Sequence, residues 1–353
     1  MASSRKVQIG PLAMGGDAPV SIQTMWDKPV DAVTPELVST INNFAAKGCD
    51  IIRFALPNMK SVDALAPLLK QTEMPLVGDI HFDYKIALKA IEAGFQKIRI
   101  NPGNIGESWK VEEVIAAASH HGTVIRIGAN EGSLAGEGDW TPEARSRRLI
   151  EAAEQNLELF ERKGFKDVVI SLKSSDIEVT YLSNRDFRKR HDYPLHLGIT
   201  EAGPLIPAIV KSTLGLGDLL KEGIGETIRI SISDNPEYEI LAARELLSNL
   251  GLRRGQIRII GCPKCGRTSF DTHGFLESVK EELNTLPLDA SVAVMGCSVN
   301  GPGEAKHADL GITGNGNQVL IFKRGDIIRR EDICSAKKAF LEELEQLRQE
   351  FSS

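Results

Sequence analysis

Several features that would place this chain outside the cytoplasm are missing from its 353 residues. No stretch reaches the roughly 18 consecutive apolar residues of a membrane-spanning helix. The first 25 residues contain two basic side chains but no continuous apolar core of the kind found in signal peptides. We therefore expect a cytoplasmic protein without a membrane partner.

An excess of positive charge is missing as well. The net charge is −6 at pH 7, which argues against wholesale binding to nucleic acid. Net charge does not describe the local field, so a cationic pocket for an anionic substrate stays compatible with this composition. Apolar residues make up 42% of the chain and charged residues 25%, which suits a large core in one large and one small domain.

Cysteine occurs only five times, and an odd count in a long chain argues against a disulfide framework. Two residues separate Cys262 from Cys265, a spacing that places both thiolates on one tight turn, as a tetrahedral metal or a cluster iron requires. Cys297 lies in a glycine-rich stretch whose backbone N–H groups could bond to cluster sulfides. The three cysteines predict a metal or iron–sulfur site.

Other interpretations of these cysteines stay open. A zinc ribbon normally has a second Cys-x-x-Cys pair, which this sequence lacks, but a Cys3His zinc site with His273 or His307 is compatible with it. A redox dithiol is the weaker alternative, because such pairs usually open a helix beside a thioredoxin-like strand. For a cluster, Glu304 in the turn of Cys297 is the better fourth ligand, since Cys334 has the pattern of a small buried hydrophobic residue.

From residue 18 to residue 233 a short β-branched apolar run is repeatedly followed by an amphipathic helical segment. Eight such units over about 230 residues match the length of a (β/α)8 barrel. We predict an α/β fold, a TIM barrel followed by a smaller α+β domain. The predicted barrel strands are Val20–Thr24, Asp50–Phe54, Leu76–Ile80, Lys97–Ile100, Thr123–Ile127, Asp167–Leu172, Leu195–Ile199 and Thr227–Ser231. The predicted helices between them are Pro35–Lys47, Val62–Gln71, Asp83–Ala93, Val111–His120, Thr141–Lys163, Gly203–Leu214 and Pro236–Asn249.

Side chains at the strand ends favour a barrel over a doubly wound sheet with the same alternation. A barrel gathers all its strand ends on one face, where active sites lie, whereas an open sheet spreads them along an edge. Polar and charged residues lie at or near most strand ends: Asp79, His81, Arg99, Asn101, Arg126, Asn130, Lys173, His196, Glu201 and Arg229.

After Gly251 the pattern changes to that of an α+β domain. The predicted boundaries are 1–250 for a substrate-binding barrel and 251–353 for an iron–sulfur domain. The second domain is predicted to contain strands Gln256–Ile260, Ser291–Met295, Leu310–Ile312 and Val319–Lys323, and helices Phe275–Leu286 and Ala336–Phe351.

The motifs GCPKCGR and MGCSVNGPGEAKHADLGITG, with SIQTM, GDIHFDY, KIRINPGN and IRIGANEGSL, are specific and spread over the whole chain. In these motifs the chain resembles the 4-hydroxy-3-methylbut-2-enyl diphosphate synthases of the non-mevalonate isoprenoid pathway. The resemblance implies a (β/α)8 barrel and a C-terminal domain similar to a half of sulfite or nitrite reductase. It also implies a [4Fe–4S] cluster on three cysteines and one glutamate, which match Cys262, Cys265, Cys297 and Glu304.

The reaction that the resemblance implies is the reductive ring opening of 2-C-methyl-D-erythritol 2,4-cyclodiphosphate to 4-hydroxy-3-methylbut-2-enyl diphosphate. Because the sequence has no convincing nicotinamide or flavin fingerprint, we expect the two electrons to come from a flavodoxin or a ferredoxin. A short link near Gly251 and the resemblance together favour a homodimer in which the cluster of one chain covers the barrel of the other.

A cyclic diphosphate requires fixed cations and hydrogen-bond donors at the barrel face. The residues that we expect to bind it are Arg53, His81, Arg99, Arg126, Asn130, Lys173, Arg229 and Ser231. Glu201 is the candidate general acid for the departing hydroxyl, ideally in a pocket that excludes water, and Asn300 is placed to bond to the substrate oxygen. The alternatives are a zinc-stabilised barrel that binds a phosphorylated ligand, and a barrel enzyme of the pterin-binding kind with a metal-stapled accessory domain.

Overall fold

The computed structural model describes residues 4–131, 140–263, 265–297 and 305–352. The chain separates into two compact units, residues 1–253 and residues 254–353. The division lies three residues beyond the predicted end of the barrel at residue 250. No helix in the described part of the chain is both long and apolar enough to cross a membrane.

The first unit contains an antiparallel hairpin and an eight-stranded parallel sheet. The hairpin consists of β1 (Val7–Ile9) and β2 (Leu12–Met14). The parallel strands lie within at most three residues of the predicted bounds. They are β3 (Ser21–Met25), β4 (Ile51–Ala55), β5 (Leu76–Asp79), β6 (Lys97–Ile100), β7 (Val124–Asn130), β8 (Val168–Lys173), β9 (His196–Leu197) and β10 (Thr227–Ile228).

The parallel sheet closes on itself. Strands β3 to β8 pair in sequence order, β10 pairs with β3, and β9 pairs with β10. A backbone bridge joins Ile170 of β8 to Leu195, the residue before β9, and the Ile170 N–H donates to the Pro194 carbonyl at 2.9 Å. The predicted α/β barrel is therefore confirmed.

The helices of the first unit connect these strands. They are α1 (Pro35–Ala46), α2 (Met59–Leu65), α3 (Tyr84–Ala93), α4 (Pro102–Ile105), α5 (Ser108–His121), α6 (Pro142–Arg162), α7 (Ile177–Arg190), α8 (Leu205–Lys221) and α9 (Pro236–Asn249). Several starts carry a side-chain cap, as at Thr34 and Thr141, whose hydroxyls accept a backbone N–H of the first turn. Gly94 ends α3 in the left-handed conformation, with φ +99°.

Helix α7 is absent from the predicted elements. Its buried face includes Thr180, Ser183 and Asn184 in place of large apolar side chains, so the apolar periodicity of the segment is weak. Its start is nevertheless marked by Asp176, whose carboxylate accepts two backbone N–H bonds at 2.9 and 3.3 Å. An N-cap of this kind, with three basic residues in the last turn, is the signal that could have identified the helix.

Side chains alternate along the barrel strands, as the pleat requires. In β6, Ile98 and Ile100 belong to the large apolar core between sheet and helices. Lys97 and Arg99 take the intervening positions and lie near Arg126 of β7. The amino-terminal end of the interior is apolar and is closed by the hairpin. The residues of this layer are Val7, Ile9, Met14, Ile51, Val77, Val124 and Val169.

In its described residues, the second unit is a five-stranded mixed sheet with two helices. Its elements are β11 (Arg258–Gly261), β12 (Ser291–Met295), β13 (Leu310–Asn315), β14 (Gln318–Lys323), β15 (Asp326–Asp332), α10 (Thr272–Thr285) and α11 (Ala336–Ser352). The strands lie in sequence order, the first three parallel and the last three antiparallel. Strand β15 is not among the predicted elements, because five of its seven residues are charged and it lies at the exposed edge of the sheet.

Candidate active site

The inner face of the barrel gathers a cluster of cations from strands that are far apart in sequence. Its members interact electrostatically with one another and with Asp79 and Glu239. We call this set the cationic cluster; it consists of Arg53, Lys97, Arg99, Arg126, Lys173 and Arg229. Five of these cations were predicted from the strand ends, and the barrel brings them together.

Asp79 links two members of the cluster. Its Oδ1 accepts a hydrogen bond from Arg99 Nη1 at 3.1 Å, and its Oδ2 lies 3.5 Å from Arg53 Nε. Burial opposes ionisation of this carboxyl, but Arg53, His81 and Arg99 outweigh it and hold the pKa of Asp79 well below its usual range. The carboxylate therefore stays charged and orients both guanidinium groups.

Glu239 from α9 holds a third member. Arg229 donates to both oxygens of this carboxylate, from Nε at 2.9 Å and from Nη2 at 2.7 Å. The same carboxylate accepts from Thr24 Oγ1 at 2.8 Å and from the Ile232 N–H at 3.2 Å. Glu239 is buried and bidentate, so it fixes the plane of the Arg229 guanidinium. Met25 Sδ lies against both Arg229 and Arg53.

The remaining cations are short of partners. Arg126 is 1% exposed, and its Nε and Nη1 have no hydrogen-bond partner among the described residues; the same is true of the buried Nζ of Lys97. Burial and the nearby Arg53 lower the pKa of Arg126 well below its usual value. Burial and Arg126 likewise lower the pKa of Lys97 and of Lys173. Because unpaired buried cations are costly, such an excess is expected where an anion binds.

Neutral polar groups extend this unpaired set. His196 of β9 is fully buried, and neither ring nitrogen has a partner. Burial and the neighbouring Lys173 lower the pKa of His196 well below 6.5, so its ring is neutral. The side-chain amide of Gln23 in β3 is also buried without partners. Buried polar groups are normally satisfied by protein, water or ligand, so the barrel interior is suited to a polar ligand.

The other predicted barrel residues lie around this cluster. His81 is exposed, with Nε2 3.3 Å from Arg99 Nη1, and Asn130 and Ser231 are half-buried at the ends of β7 and β10. Glu201 is exposed and has a backbone φ of +52°, a conformation that residues other than glycine rarely adopt. The barrel unit by itself therefore does not give Glu201 a pocket that excludes water.

A second ionic network fixes the ends of β7 and β8. Arg145 of α6 donates to Glu131 and, at 2.8 Å, to Asp176, while Ser174 donates to Glu131. The hydrogen bond from Arg145 holds the pKa of Glu131 below its usual range. Glu131 follows Asn130, so the network positions Asn130 and the neighbouring end of β8.

The cysteines lie at one edge of the second sheet. Strands β11 and β12 pair in parallel, with Gly261 opposite Val294, so Cys262 and Cys297 follow adjacent strand ends. Cys262 Sγ accepts the Gly296 N–H at 3.1 Å. Gly296 is a close-approach position, because a Cβ there would lie 3.0 Å from Thr268 Oγ1. Cys265 is exposed, and its N–H donates to Thr268 Oγ1 at 3.2 Å.

In residue type, this donor set fits an iron–sulfur cluster. Three cysteines on two neighbouring turns, one already accepting a backbone N–H, are the chemistry that iron–sulfur clusters use. Glu304 and Asn300 lie outside the described residues. Within the described ranges, no group of three His, Cys, Asp or Glu side chains is close enough to hold a single metal ion, and His273 and His307 are both exposed.

Cys334 corrects one expectation. The sequence pattern predicts a small buried residue, but Cys334 is exposed at the turn before α11. Its neighbour Ile333 is exposed as well, whereas Ala336, two residues after Cys334, is buried. Burial at this position therefore could not be read from neighbouring residues alone.

Sequence reasoning did not select three residues of the barrel site: Gln23, Lys97 and Glu239. The alternation in Lys97-Ile-Arg99-Ile was the available signal for Lys97, since a charged residue two positions before an inward arginine shares its face. Glu239 lies in a helix, and nothing in its local pattern distinguishes it from a solvated carboxylate.

Comparison with known proteins follows the same division of the chain. The family model described as the GcpE TIM-barrel domain matches residues 4–244, and the model of the GcpE protein C-terminal domain matches residues 258–346. The chain belongs to the GcpE family. Its relatives include a Treponema denticola protein named 4-hydroxy-3-methylbut-2-en-1-yl diphosphate synthase (flavodoxin), 47% identical over 97% of this chain and 96% of that protein.

A second GcpE relative, from Geobacter sulfurreducens, bears the same name and is 42% identical over 98% of both chains. GcpE members are thus named as enzymes, and the family predicted from the motifs is confirmed. Among solved structures, dihydropteroate synthase from Coxiella burnetii matches with a TM-score of 0.51 and 14% identity, over 70% of this chain and 98% of that one. At this identity the match shows a shared fold alone.

Proposed function

We propose that this chain catalyses the reductive ring opening of 2-C-methyl-D-erythritol 2,4-cyclodiphosphate to 4-hydroxy-3-methylbut-2-enyl diphosphate. The substrate takes up two electrons and two protons, and one of its oxygens leaves as water. The names of the GcpE relatives support the reaction. The observation that carries it in this chain is the cationic cluster, an excess of buried cations on the inner face of the barrel.

The cluster suits a cyclic diphosphate in both charge and geometry. Arginine donates in pairs to phosphate oxygens, and Arg53, Arg99 and Arg229 are already oriented by carboxylates. Arg126 and Lys173 supply further positive charge from adjacent strands. Oxygens of a bound phosphate would accept hydrogen bonds from the unpaired N–H groups of Arg126 and so remove the free-energy cost of burying those N–H groups. His81, Asn130 and Ser231 complete the proposed binding set.

Glu201 is the proposed general acid, with its carboxyl proton passing to the departing hydroxyl. It lies in the segment that follows β9, and its left-handed backbone, with φ +52°, marks a constrained position near the strand ends. Because the residue is exposed in the barrel unit, the role requires a cover from elsewhere in the active assembly. Asn300 is proposed to hydrogen-bond to a substrate oxygen.

Cys262, Cys265, Cys297 and Glu304 are the proposed ligands of a [4Fe–4S] cluster. When bound, the cluster would relay the two electrons, one at a time, from an external donor to the substrate. The Gly296 N–H directed at Cys262 Sγ lowers the negative charge on that sulfur, which favours reduction of a ligated cluster. A flavodoxin, as in the names of the relatives, or a ferredoxin is the proposed electron donor.

The active assembly is proposed to be a homodimer. Helix α8 carries an exposed apolar stripe at a four-residue spacing, formed by Ile206, Val210 and Leu214, which are 74%, 53% and 62% exposed. Contiguous apolar side chains on one helix face mark protein interfaces. A second copy of the chain would present the same apolar stripe, and a two-fold symmetric contact would pack the stripes of the two copies against each other.

Anaerobic purification followed by iron and sulfide analysis and a turnover assay tests the proposal. We expect about four irons and four sulfides per chain and turnover of the cyclodiphosphate with reduced flavodoxin. Arg126→Met should lower kcat/KM by about 10- to 100-fold, because a buried charged donor to phosphate is lost. Arg147→Met, on the exposed face of α6, is the matched control and should leave turnover unchanged. A colourless zinc protein without turnover would favour a binding protein instead.

A further inference from the structure

A cavity of about 660 Å³ lies beside the cationic cluster, in the range of small-molecule sites. It is enclosed by the segment after β3, helix α2 and the segment between β10 and α9. On the side of the cationic cluster it is lined by the Arg229–Glu239 ion pair and by Met25, which contacts Arg229. Among the described residues, Arg229 is the member of the cationic cluster that lines both spaces.

The walls of the cavity are apolar. They include Trp26, Phe54, Ala64, Leu65 and Ile232. Phe54 and Leu65 are each 1% exposed and belong to the barrel core, so they are held by packing on their other side. The charged residues of the lining, such as Lys28 and Lys60, are exposed at the rim. The cavity therefore combines apolar wall residues with an ion pair on the side of the cationic cluster and charged residues at its rim.

These walls are formed in advance of any ligand. The Trp26 ring packs against Phe54 and Phe44, with centroids 6.1 and 6.5 Å apart. Helix α2 begins at Asn58, whose side chain and that of Ser61 cap each other reciprocally. An apolar ligand would displace water from a surface that needs little rearrangement, which favours binding.

The Arg229–Glu239 pair at the boundary indicates which ligand would suit both the cavity and the cationic cluster. Glu239 neutralises Arg229, so the guanidinium at the boundary presents little net charge to an apolar group. Immediately beyond it lies the uncompensated positive charge of Arg126 and Lys173. A molecule with a diphosphate head and a hydrocarbon chain suits both spaces: its chain fits the apolar cavity and its diphosphate fits the cationic cluster. The chain would not suit the cationic cluster, and the diphosphate would not suit the cavity.

We infer that the cavity binds the hydrocarbon chain of prenyl diphosphates longer than the five-carbon product, with their diphosphate on the cationic cluster. Such molecules then compete with the substrate, and inhibition strengthens with chain length. The inference rests on the proposed function for its diphosphate head group. It adds a binding site for the apolar chain and an inhibition of the enzyme by later products of the same chemical class.

The test compares inorganic diphosphate, dimethylallyl diphosphate and geranyl diphosphate on the full-length holoenzyme. We expect geranyl diphosphate to inhibit competitively and about tenfold or more tightly than the five-carbon compound, because five further carbons are buried. Ala64→Phe, which fills the cavity from α2, should reduce this advantage to about threefold or less while leaving inhibition by inorganic diphosphate unchanged. Ala46→Phe, on the exposed end of α1, is the control and should behave as the wild type.

Calorimetric titration of the same compounds provides a second readout that needs no turnover. Geranyl diphosphate should show a more negative heat-capacity change than dimethylallyl diphosphate, and Ala64→Phe should remove the difference. Binding that is independent of chain length, or a preference that survives Ala64→Phe, overturns the inference. If chain-length-dependent binding is found but the cyclodiphosphate is not turned over, the proposed function fails and the cavity assignment stands.

Discussion

At the scale of single residues, the barrel interior holds more positive charge than it neutralises. Asp79 and Glu239 pair with Arg53, Arg99 and Arg229. Arg126, Lys97 and Lys173 lie behind them, and each has a pKa well below its usual value because burial and the other cations disfavour the charged form. These buried cations reduce the unfolding free energy of the ligand-free protein, and an anion that binds to the cationic cluster should restore it.

Lys97→Met should stabilise the protein. The buried Nζ of Lys97 has no partner, so an apolar side chain of similar length should raise the unfolding free energy by about 1–3 kcal/mol near pH 7. The folded pKa lies below the unfolded value of about 10.4, so wild-type stability falls as pH falls below that value. Methionine has no such proton, and its advantage should grow from pH 10 to pH 7. Urea unfolding at both pH values measures this.

The control for this substitution is Lys166→Met. Lys166 is exposed, so its loss should change stability by less than about 0.5 kcal/mol at either pH. A Lys97→Met variant that is destabilised, or whose advantage is greatest at pH 10, would mean that Lys97 is charged and paired in the folded protein. The variant should also bind inorganic diphosphate more weakly, since one cation is removed from the cluster.

The sequence predicts which cations face the barrel but not how they are paired. Arg53, Arg99 and Arg126 are recognisable because each is a charged residue within an apolar barrel strand, at a position that faces the interior. Their carboxylate partners depend on tertiary packing. Glu239 reaches Arg229 because α9 packs beside β3, and this placement has no counterpart in the local pattern of α9. Residue types could therefore be predicted, whereas hydrogen-bond geometry could not.

At the scale of elements, strong periodicity made the eight barrel strands predictable, whereas the β1–β2 hairpin, the four-residue α4, α7 and β15 were not predicted. The barrel strands are short runs rich in β-branched apolar residues that recur between helical segments, which makes them easy to recognise. The hairpin β1–β2 has three residues in each strand, too few to show alternation. Helix α7 buries small polar residues, and β15 is a charged edge strand. Each of these elements is specified mainly by its neighbours.

The hairpin should matter for the stability of the barrel although its strands are short. Ile9 is fully buried in the apolar layer at the amino-terminal end of the barrel, while Gln8 beside it is exposed. Ile9→Ala should lower the unfolding free energy by about 2–4 kcal/mol, through lost burial and the cavity that remains. Gln8→Ala is the matched control on the same strand. Equal effects of the two substitutions in urea unfolding would show that the hairpin does not close the barrel.

In the second unit, one pair of strands explains the cysteine spacing. Cys262 and Cys297 are distant in sequence, yet they follow strands β11 and β12, which are parallel neighbours. Parallel strands need a crossover, here α10, so their ends meet at one edge of the sheet. The Cys-x-x-Cys turn could be predicted from spacing alone. The approach of the third cysteine depends on this pairing.

At the scale of the whole molecule, the proposed reaction needs both units, because the cations lie in residues 1–253 and the cysteines in residues 254–353. The two functions must come together within one chain or between two chains of a dimer. The exposed stripe on α8 favours a dimer, and the proposed arrangement places the cysteine unit of one chain over the barrel of the other. Pairing two inactive variants distinguishes these possibilities.

Arg126→Met is expected to leave about 1–10% of the activity of the barrel site, and Cys297→Ser removes a proposed cluster ligand from the cysteine unit. When the two chains carry different tags and are purified through both, every molecule is a heterodimer. If each site combines two chains, one site holds both defects and the other holds none, so about half of the wild-type activity per dimer should return. If each site lies within one chain, both sites carry a defect and activity stays at background. The control pairs an Arg126→Met chain with a Lys173→Met chain. Under either arrangement, each site of this heterodimer contains a defective barrel. Recovery of activity in this pair would therefore show that the barrel substitutions do not impair the barrel.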